Sequence, residues 1–151
     1  MTYNRSKAKG DTFERWAAKE LSINGGKWHR IPGSGSIGTN LKMSTLTGDF
    51  EGQYPWFRKA FKGEGKVGYG TSKQMTLKRE WFTKVREQAK LDNKYSAVVI
   101  KFNDVTGGDI GSATAVCFNI DTWNIMMSDI QELYDEYIVL LGKYYPKEKE
   151  E

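Results

Sequence analysis

Residues 76–102, TLKREWFTKVREQAKLDNKYSAVVIKF, change hydrophobic period partway along, and that change selects the fold class. In the first part Leu77, Trp81, Val85 and Ala89 recur every four residues, which predicts one buried face of a helix opened by Thr76 as N-cap and closed near Asp92-Asn93. The second part, residues 95–102, is a short apolar run rich in β-branched residues and predicts a strand. Towards the C-terminus, residues 113–120 predict the next strand, reached through a glycine-rich turn around Gly107-Gly108. Asp121-Thr122 then predict the cap of a long acidic helix over about 122–145, whose apolar positions Met126, Ile130, Leu133, Tyr137, Leu140 and Tyr144 step by 4, 3, 4, 3 and 4. Towards the N-terminus, residues 56–67 and 46–50 predict two strands, the first weakened by Gly63 and Gly65. Residues 32–38 are a Gly/Ser loop, residues 27–31 are extended, and Phe13, Trp16, Ala17 and Leu21 predict a helix from Asp11 to about residue 23. This order predicts an α/β fold, a mixed central sheet flanked by helices with an additional C-terminal helix.

The length of 151 residues suits one domain, with 38% hydrophobic and 28% charged residues to build and solvate it. No apolar run approaches the ~18–20 residues that cross a bilayer, and the first 25 residues carry no signal-peptide core, so a protein without membrane attachment, working in the cytoplasm, is expected. Cys117 is the lone cysteine, which rules out an internal disulfide. The net charge of +4 conceals an asymmetry: residues 1–101 carry 20 basic against 9 acidic residues, and residues 102–151 carry 3 against 10. The excess is concentrated from Arg58 to Lys90, with ten basic against three acidic residues, and is interleaved with or flanked by Trp56, Phe57, Phe61, Tyr69, Trp81 and Phe82, a composition suited to a phosphate backbone and equally to a solvated basic face.

Two glycine patterns, at 33–38 and 63–68, fit a dinucleotide fingerprint but lack the strand-to-helix setting and the acidic residue about 20 positions on. His29 is the only histidine. What remains is acidic: Asp49 ends one strand and Glu64-Gly65-Lys66 lies near the end of the next. Alternation along a strand puts Glu64 and Lys66 on one face, where a neighbouring strand could present Asp49. Two carboxylates that close repel unless a cation lies between them, and hard oxygen donors suit Mg²⁺, which activates water and stabilises charge on phosphorus. The competing reading makes Asp49 a turn residue and Glu64 and Lys66 a solvated pair.

Asp11-Thr12-Phe13-Glu14-Arg15-Trp16-Ala17-Ala18-Lys19-Glu20-Leu21, then Arg30-Ile31-Pro32-Gly33-Ser34-Gly35-Ser36, Asp49 and Glu64-Gly65-Lys66 follow in the order of a known signature. Over residues 8–102 the chain resembles the archaeal-type Holliday junction resolvases of the PD-(D/E)XK nuclease superfamily, a type that phages also carry. The resemblance implies a nuclease-like core over about 8–120. It implies that Asp49 and Glu64 bind the metal, Mg²⁺ or alternatively Mn²⁺, with Glu14 as a further carboxylate, and that Lys66 is the catalytic lysine. Ser34 would approach the scissile strand, and Arg15 and Arg30 would hold phosphates beside the cut. The basic segment containing Lys73, Lys78 and Arg79 would lie on the arms of branched DNA. Each residue has a plainer role: Glu14 as a capping partner near Asp11, Arg15 as a surface residue, Ser34 as part of a loop.

Departures from the signature are the 14 residues between Asp49 and Glu64, the glycine between Glu64 and Lys66, and the weakly apolar Phe61-Lys62-Gly63; Glu51 is the substitute acid if the pairing differs. A four-way junction has two-fold symmetry, so the resemblance implies a homodimer making paired symmetric nicks that leave 5′ phosphates, in the host cytoplasm if the gene is a phage's. The Met126–Tyr144 stripe would face either the partner or the protomer's own sheet. The alternatives are a nuclease of the same superfamily acting on flap, duplex-end or specific-sequence DNA, and a non-catalytic nucleic-acid-binding protein.

Overall fold

The computed structural model describes residues 5–32, 47–68, 74–102 and 114–144. Within them the chain runs α1 (Arg5–Leu21), β1 (Lys27–Arg30), β2 (Phe50–Gln53), β3 (Phe61–Val67), α2 (Arg79–Leu91), β4 (Tyr95–Lys101), β5 (Thr114–Cys117) and α3 (Ile120–Tyr144). The five strands form one sheet in chain order. β3 and β4 are parallel, joined by the crossover through α2, and the other pairings are antiparallel. The mixed sheet with flanking helices and an added C-terminal helix is therefore the observed architecture.

Several element boundaries differ from those expected. The first helix starts at Arg5, six residues before Asp11: Arg5, Lys7, Ala8 and Lys9 are good helix formers, and the helix runs on through Gly10. Asp11 is thus inside the helix, and the capping role weighed for Glu14 falls away. The strand expected over 46–50 runs from Phe50 to Gln53, and the strand expected over 56–67 begins at Phe61, because Tyr54-Pro55-Trp56 form a turn closed by the Phe57 amide on the Tyr54 carbonyl at 3.2 Å. The central helix begins at Arg79, with Lys78 at the N-cap and no side-chain cap bond, so Thr76 does not cap it. Its other end turns through Asn93 at φ 52°, a left-handed residue that asparagine tolerates. The last helix is capped by Asn119, whose Oδ1 accepts from the Thr122 amide at 2.8 Å, so Asp121-Thr122 lie in its first turn.

β3 explains how a strand so rich in glycine and lysine stays buried. Residues 61–64 are all buried. Gly63 pairs with Phe50, whose ring lies so close over it that a Cβ there would come within 1.9 Å of the ring. The phenyl ring supplies the apolar cover that Gly63 lacks. Lys62 is completely buried and ion-paired with Asp92 at the end of α2. On one face of the sheet Phe13 and Ala17 of α1 pack with Phe50 and Val99. On the other, Val85 of α2 packs with Val98 and Ile100. Near the opposite strand ends Met126 of α3 packs with Phe61 and Tyr95.

Only Thr122 and Met126 of α3 are buried. Arg58 bonds Glu132 at 2.7 Å and also Glu136, while Tyr95 bonds Asp129, so polar contacts continue for nearly three turns beyond Met126. Beyond them Tyr137, Leu140 and Tyr144 are exposed at 56, 50 and 78%. Packing on the protomer's own sheet therefore accounts for only the beginning of the apolar stripe. Among the described residues, no helix is long and apolar enough to cross a membrane.

Candidate active site

Asp49 is held on both sides before its side chain is considered. Its amide donates to the Gly63 carbonyl at 2.8 Å and its carbonyl accepts from the Ile31 amide at 2.9 Å, which pins it between β1 and β3. The preceding Gly48 has φ +84° and a Cβ there would meet Lys62 Cγ at 3.0 Å, so the chain enters this position only through glycine. One step beyond the last pair of the β2–β3 ladder, Phe50 with Gly63, Asp49 comes opposite Glu64. Its Oδ2 accepts a hydrogen bond from the Gly65 amide at 2.7 Å.

Glu64 and Lys66, two apart on β3, point to one face as alternation requires, with Lys66 Nζ 2.5 Å from Glu64 Oε1. The Glu64 side chain is only 4% exposed. Burial and repulsion from Glu64 push the Asp49 carboxyl up to about 6, against the Gly65 hydrogen bond, which favours the charged form. Glu14 pushes in the same direction and Lys66 opposes it, so all four groups share one electrostatic neighbourhood. Glu14 itself is bound to Arg30, whose Nε lies 2.5 Å from Glu14 Oε2 while its Nη2 lies 2.5 Å from Asp11 Oδ1. Bonding to Glu14 is the main reason the Arg30 guanidinium is held above its usual range, burial opposing it.

The structure thus brings Asp49, Glu64 and Lys66 together, with Glu14 and Arg30 as an ion pair at the margin. Arg15 is exposed on α1. Lys78 and Arg79 are exposed at the start of α2, Lys78 3.7 Å from Glu80. Ser34 and Lys73 lie outside the described residues. Glu51 turns elsewhere, to Lys94 at 2.6 Å and His29 at 3.5 Å.

Sequence reasoning missed three residues. Asp11 shares Arg30 with Glu14, as residues three apart on a helix can. Trp81 carries Lys66 Nζ 5.6 Å above its ring, a cation–π contact. Lys84 places Nζ 3.2 Å from both Glu64 oxygens. Trp81 and Lys84 are one turn apart on α2, beside the Trp81-Val85 face already legible as core, and that adjacency was the available signal.

Two hard carboxylates that repel each other in a buried setting are a donor pair that a divalent cation relieves, and a pair without a third ligand suits Mg²⁺, which keeps several waters. Among the described residues no group of three or more His, Cys, Asp or Glu side chains is placed to cage a metal ion. The donor set fits a cation held by two protein carboxylates and water.

No curated protein matches this chain. A solved structure similar to it is that of Archaeoglobus fulgidus Hjc, a Holliday junction resolvase from an archaeal hyperthermophile, at 19% identity over 63% of this chain and 69% of that one, with a TM-score of 0.48. The family model described as "Phage putative PDDEXK endonuclease" matches residues 5–149. That match takes in α1, the whole sheet, α2, α3 and all the acids and lysines that meet at Asp49, so the chain belongs to this phage PDDEXK endonuclease family and is a nuclease.

Proposed function

We propose that this nuclease cuts branched DNA, resolving four-way junctions by two symmetric nicks, with Mg²⁺ as its cofactor and Mn²⁺ as a substitute. The observation that carries the reading is the convergence of Asp49 and Glu64 with Lys66 at one end of β3, with the Asp49 carboxyl raised to about 6 largely by burial and by Glu64. Asp49 and Glu64 would hold the cation, and Glu14 would act on it through water while Arg30 orients Glu14. When bound, the cation supplies Lewis-acid stabilisation of the phosphodiester and makes water more acidic.

The reaction is attack of water on phosphorus with cleavage of the bond to O3′, leaving a 5′ phosphate and a 3′ hydroxyl. Lys66 holds its ammonium beside the Glu64 carboxylate, where it offsets charge developing on the phosphoryl oxygens or orients the attacking water. Trp81 holds that ammonium through the cation–π contact. Arg15, exposed on α1, and Lys78 and Arg79, exposed at the start of α2, would meet phosphates of the arms, and Ser34 and Lys73 keep the DNA-contact roles proposed for them from the sequence. Paired nicks need two such centres, so the working form is a homodimer. The exposed Tyr137, Leu140 and Tyr144 stripe supports an interface on α3. The enzyme acts in the host cytoplasm.

The test uses a synthetic immobile four-way junction and a linear duplex of the same sequence, with Mg²⁺ or with EDTA, for the native protein and Asp49→Asn. Symmetric nicks confined to the junction, dependent on Mg²⁺ and lost in the variant, are expected. Equal cutting of the linear duplex replaces junction resolution with a duplex or sequence-specific activity, and metal-independent binding without cutting reduces the protein to a binding module.

A further inference from the structure

We propose that Lys84 is a second active-site lysine, which neutralises Glu64 in the metal-free protein and moves onto the phosphodiester when a divalent cation is bound. The substrate half of this assignment rests on the nuclease reading above. Four observations support it. Glu64 is almost wholly buried, yet it carries two ammonium groups, Lys66 at 2.5 Å and Lys84 at 3.2 Å. Lys84 lies equally far, 3.2 Å, from both carboxylate oxygens, as a point charge placed against an anion does. The two lysines differ in freedom: the Lys66 side chain is 26% exposed and stacked on Trp81, while that of Lys84 is 55% exposed. Lys84 and the Trp81 ring that holds Lys66 both come from the first turns of α2, three residues apart.

Charge balance then decides what Lys84 does. Without a metal, Asp49 and Glu64 face Lys66 and Lys84, two negative charges against two positive ones. A divalent cation held by Asp49 and Glu64 would leave two positive charges in excess, and Glu64 would no longer favour a second ammonium. Lys84 has a flexible four-carbon stem and an open side, so it turns to the nearest anion, which on a DNA substrate is a phosphate at the site. The lysine that stands in for the metal becomes a contact to the substrate.

The assignment requires effects of opposite sign from one substitution. The full-length protein, stripped with EDTA, is titrated with Mn²⁺ alone and free Mn²⁺ is followed by electron paramagnetic resonance for the native protein, Lys84→Met, Lys84→Arg and Asp49→Asn. Lys84→Met should bind Mn²⁺ about 3–10-fold more tightly, since a competing cation is gone. In the same preparation, cutting of the junction at saturating Mn²⁺ should fall about 10–100-fold in kcat, with KM for DNA changed by no more than about two-fold, and Lys84→Arg should recover part of kcat. Circular dichroism melting of Lys84→Met establishes that the variant is folded. Unchanged or weaker Mn²⁺ affinity in Lys84→Met overturns the stand-in role, and unchanged kcat overturns the phosphate contact, while native activity lost in Asp49→Asn leaves the nuclease reading intact in either case. A native protein that binds Mn²⁺ through Asp49 but cuts no DNA overturns the nuclease mechanism alone, and the Mn²⁺ titration still judges Lys84.

Discussion

The Asp49 carboxylate accepts its hydrogen bond from the amide of Gly65, the residue between Glu64 and Lys66, at 2.7 Å. One acid is therefore positioned by the backbone of the strand that carries the other acid and the lysine. Any residue but proline could donate that bond; the glycine between Glu64 and Lys66 instead leaves room on the opposite face of the strand for the Phe13 and Phe50 rings, which a Cβ there would meet at 3.3 and 3.5 Å.

That relationship sets a pH dependence. The folded-state Asp49 carboxyl is raised to about 6, above the ordinary value near 3.9, so between about pH 4 and 6 the folded protein holds a proton that the unfolded chain has released. Metal-free stability should accordingly fall by roughly 2–3 kcal/mol as pH rises through this window and level off above it. Urea denaturation in EDTA from pH 4 to 8 should show the decline in the native protein and lose it in Asp49→Asn. Mg²⁺ should restore stability at pH 7.5 and have little effect at pH 5, where Asp49 is protonated.

Glu64→Gln and Lys66→Ala should each lower junction cutting at least ~100-fold, because Glu64 would hold the cation and Lys66 would offset the charge that develops during the reaction. Junction binding in EDTA, measured by gel shift, should remain within about three-fold of the native protein. Binding that falls in step with cutting would remove Glu64 and Lys66 from the chemical step.

Gly63→Ala should destabilise the protein by about 2–4 kcal/mol, because the added methyl would lie 1.9 Å from a Phe50 ring carbon with no free space to give. Thermal melting should show the loss, and Phe50→Ala combined with it should be less destabilising than the two effects added together.

Asp92→Ala should cost about 3–5 kcal/mol, since it leaves the ammonium of the fully buried Lys62 without its carboxylate. Lys62→Met in the same background should recover much of that loss, as measured by urea denaturation at pH 7.5.

The elements that could be read before folding are those whose signal is local. Val98-Val99-Ile100 declare a strand, the Leu77-Trp81-Val85-Ala89 spacing declares α2, and both are where they were expected, apart from the first turn of the helix. The meeting of Glu64 with Lys66 follows from alternation alone. The boundaries of β2 and β3 could not be read in the same way, because burial of Lys62 and Gly63 depends on Asp92 and Phe50, which are distant in the chain. Arg30 looked like a free cation beside a loop, and its two carboxylate partners become visible only when β1 packs against α1. Lys84 was hidden for the same reason: exposed lysines on a helix look alike until one of them lies across from a buried acid.

The parallel pairing of β3 with β4 has a consequence during synthesis. Asp49 is fixed by Ile31 and by Gly63, and the strand bearing Glu64 gains its inner neighbour only when residues 95–101 are available. The strand that carries Glu64 and Lys66 therefore stays an open edge on that side until residues 95–101 have been made and have paired with it, so its burial is completed only across the α2 crossover.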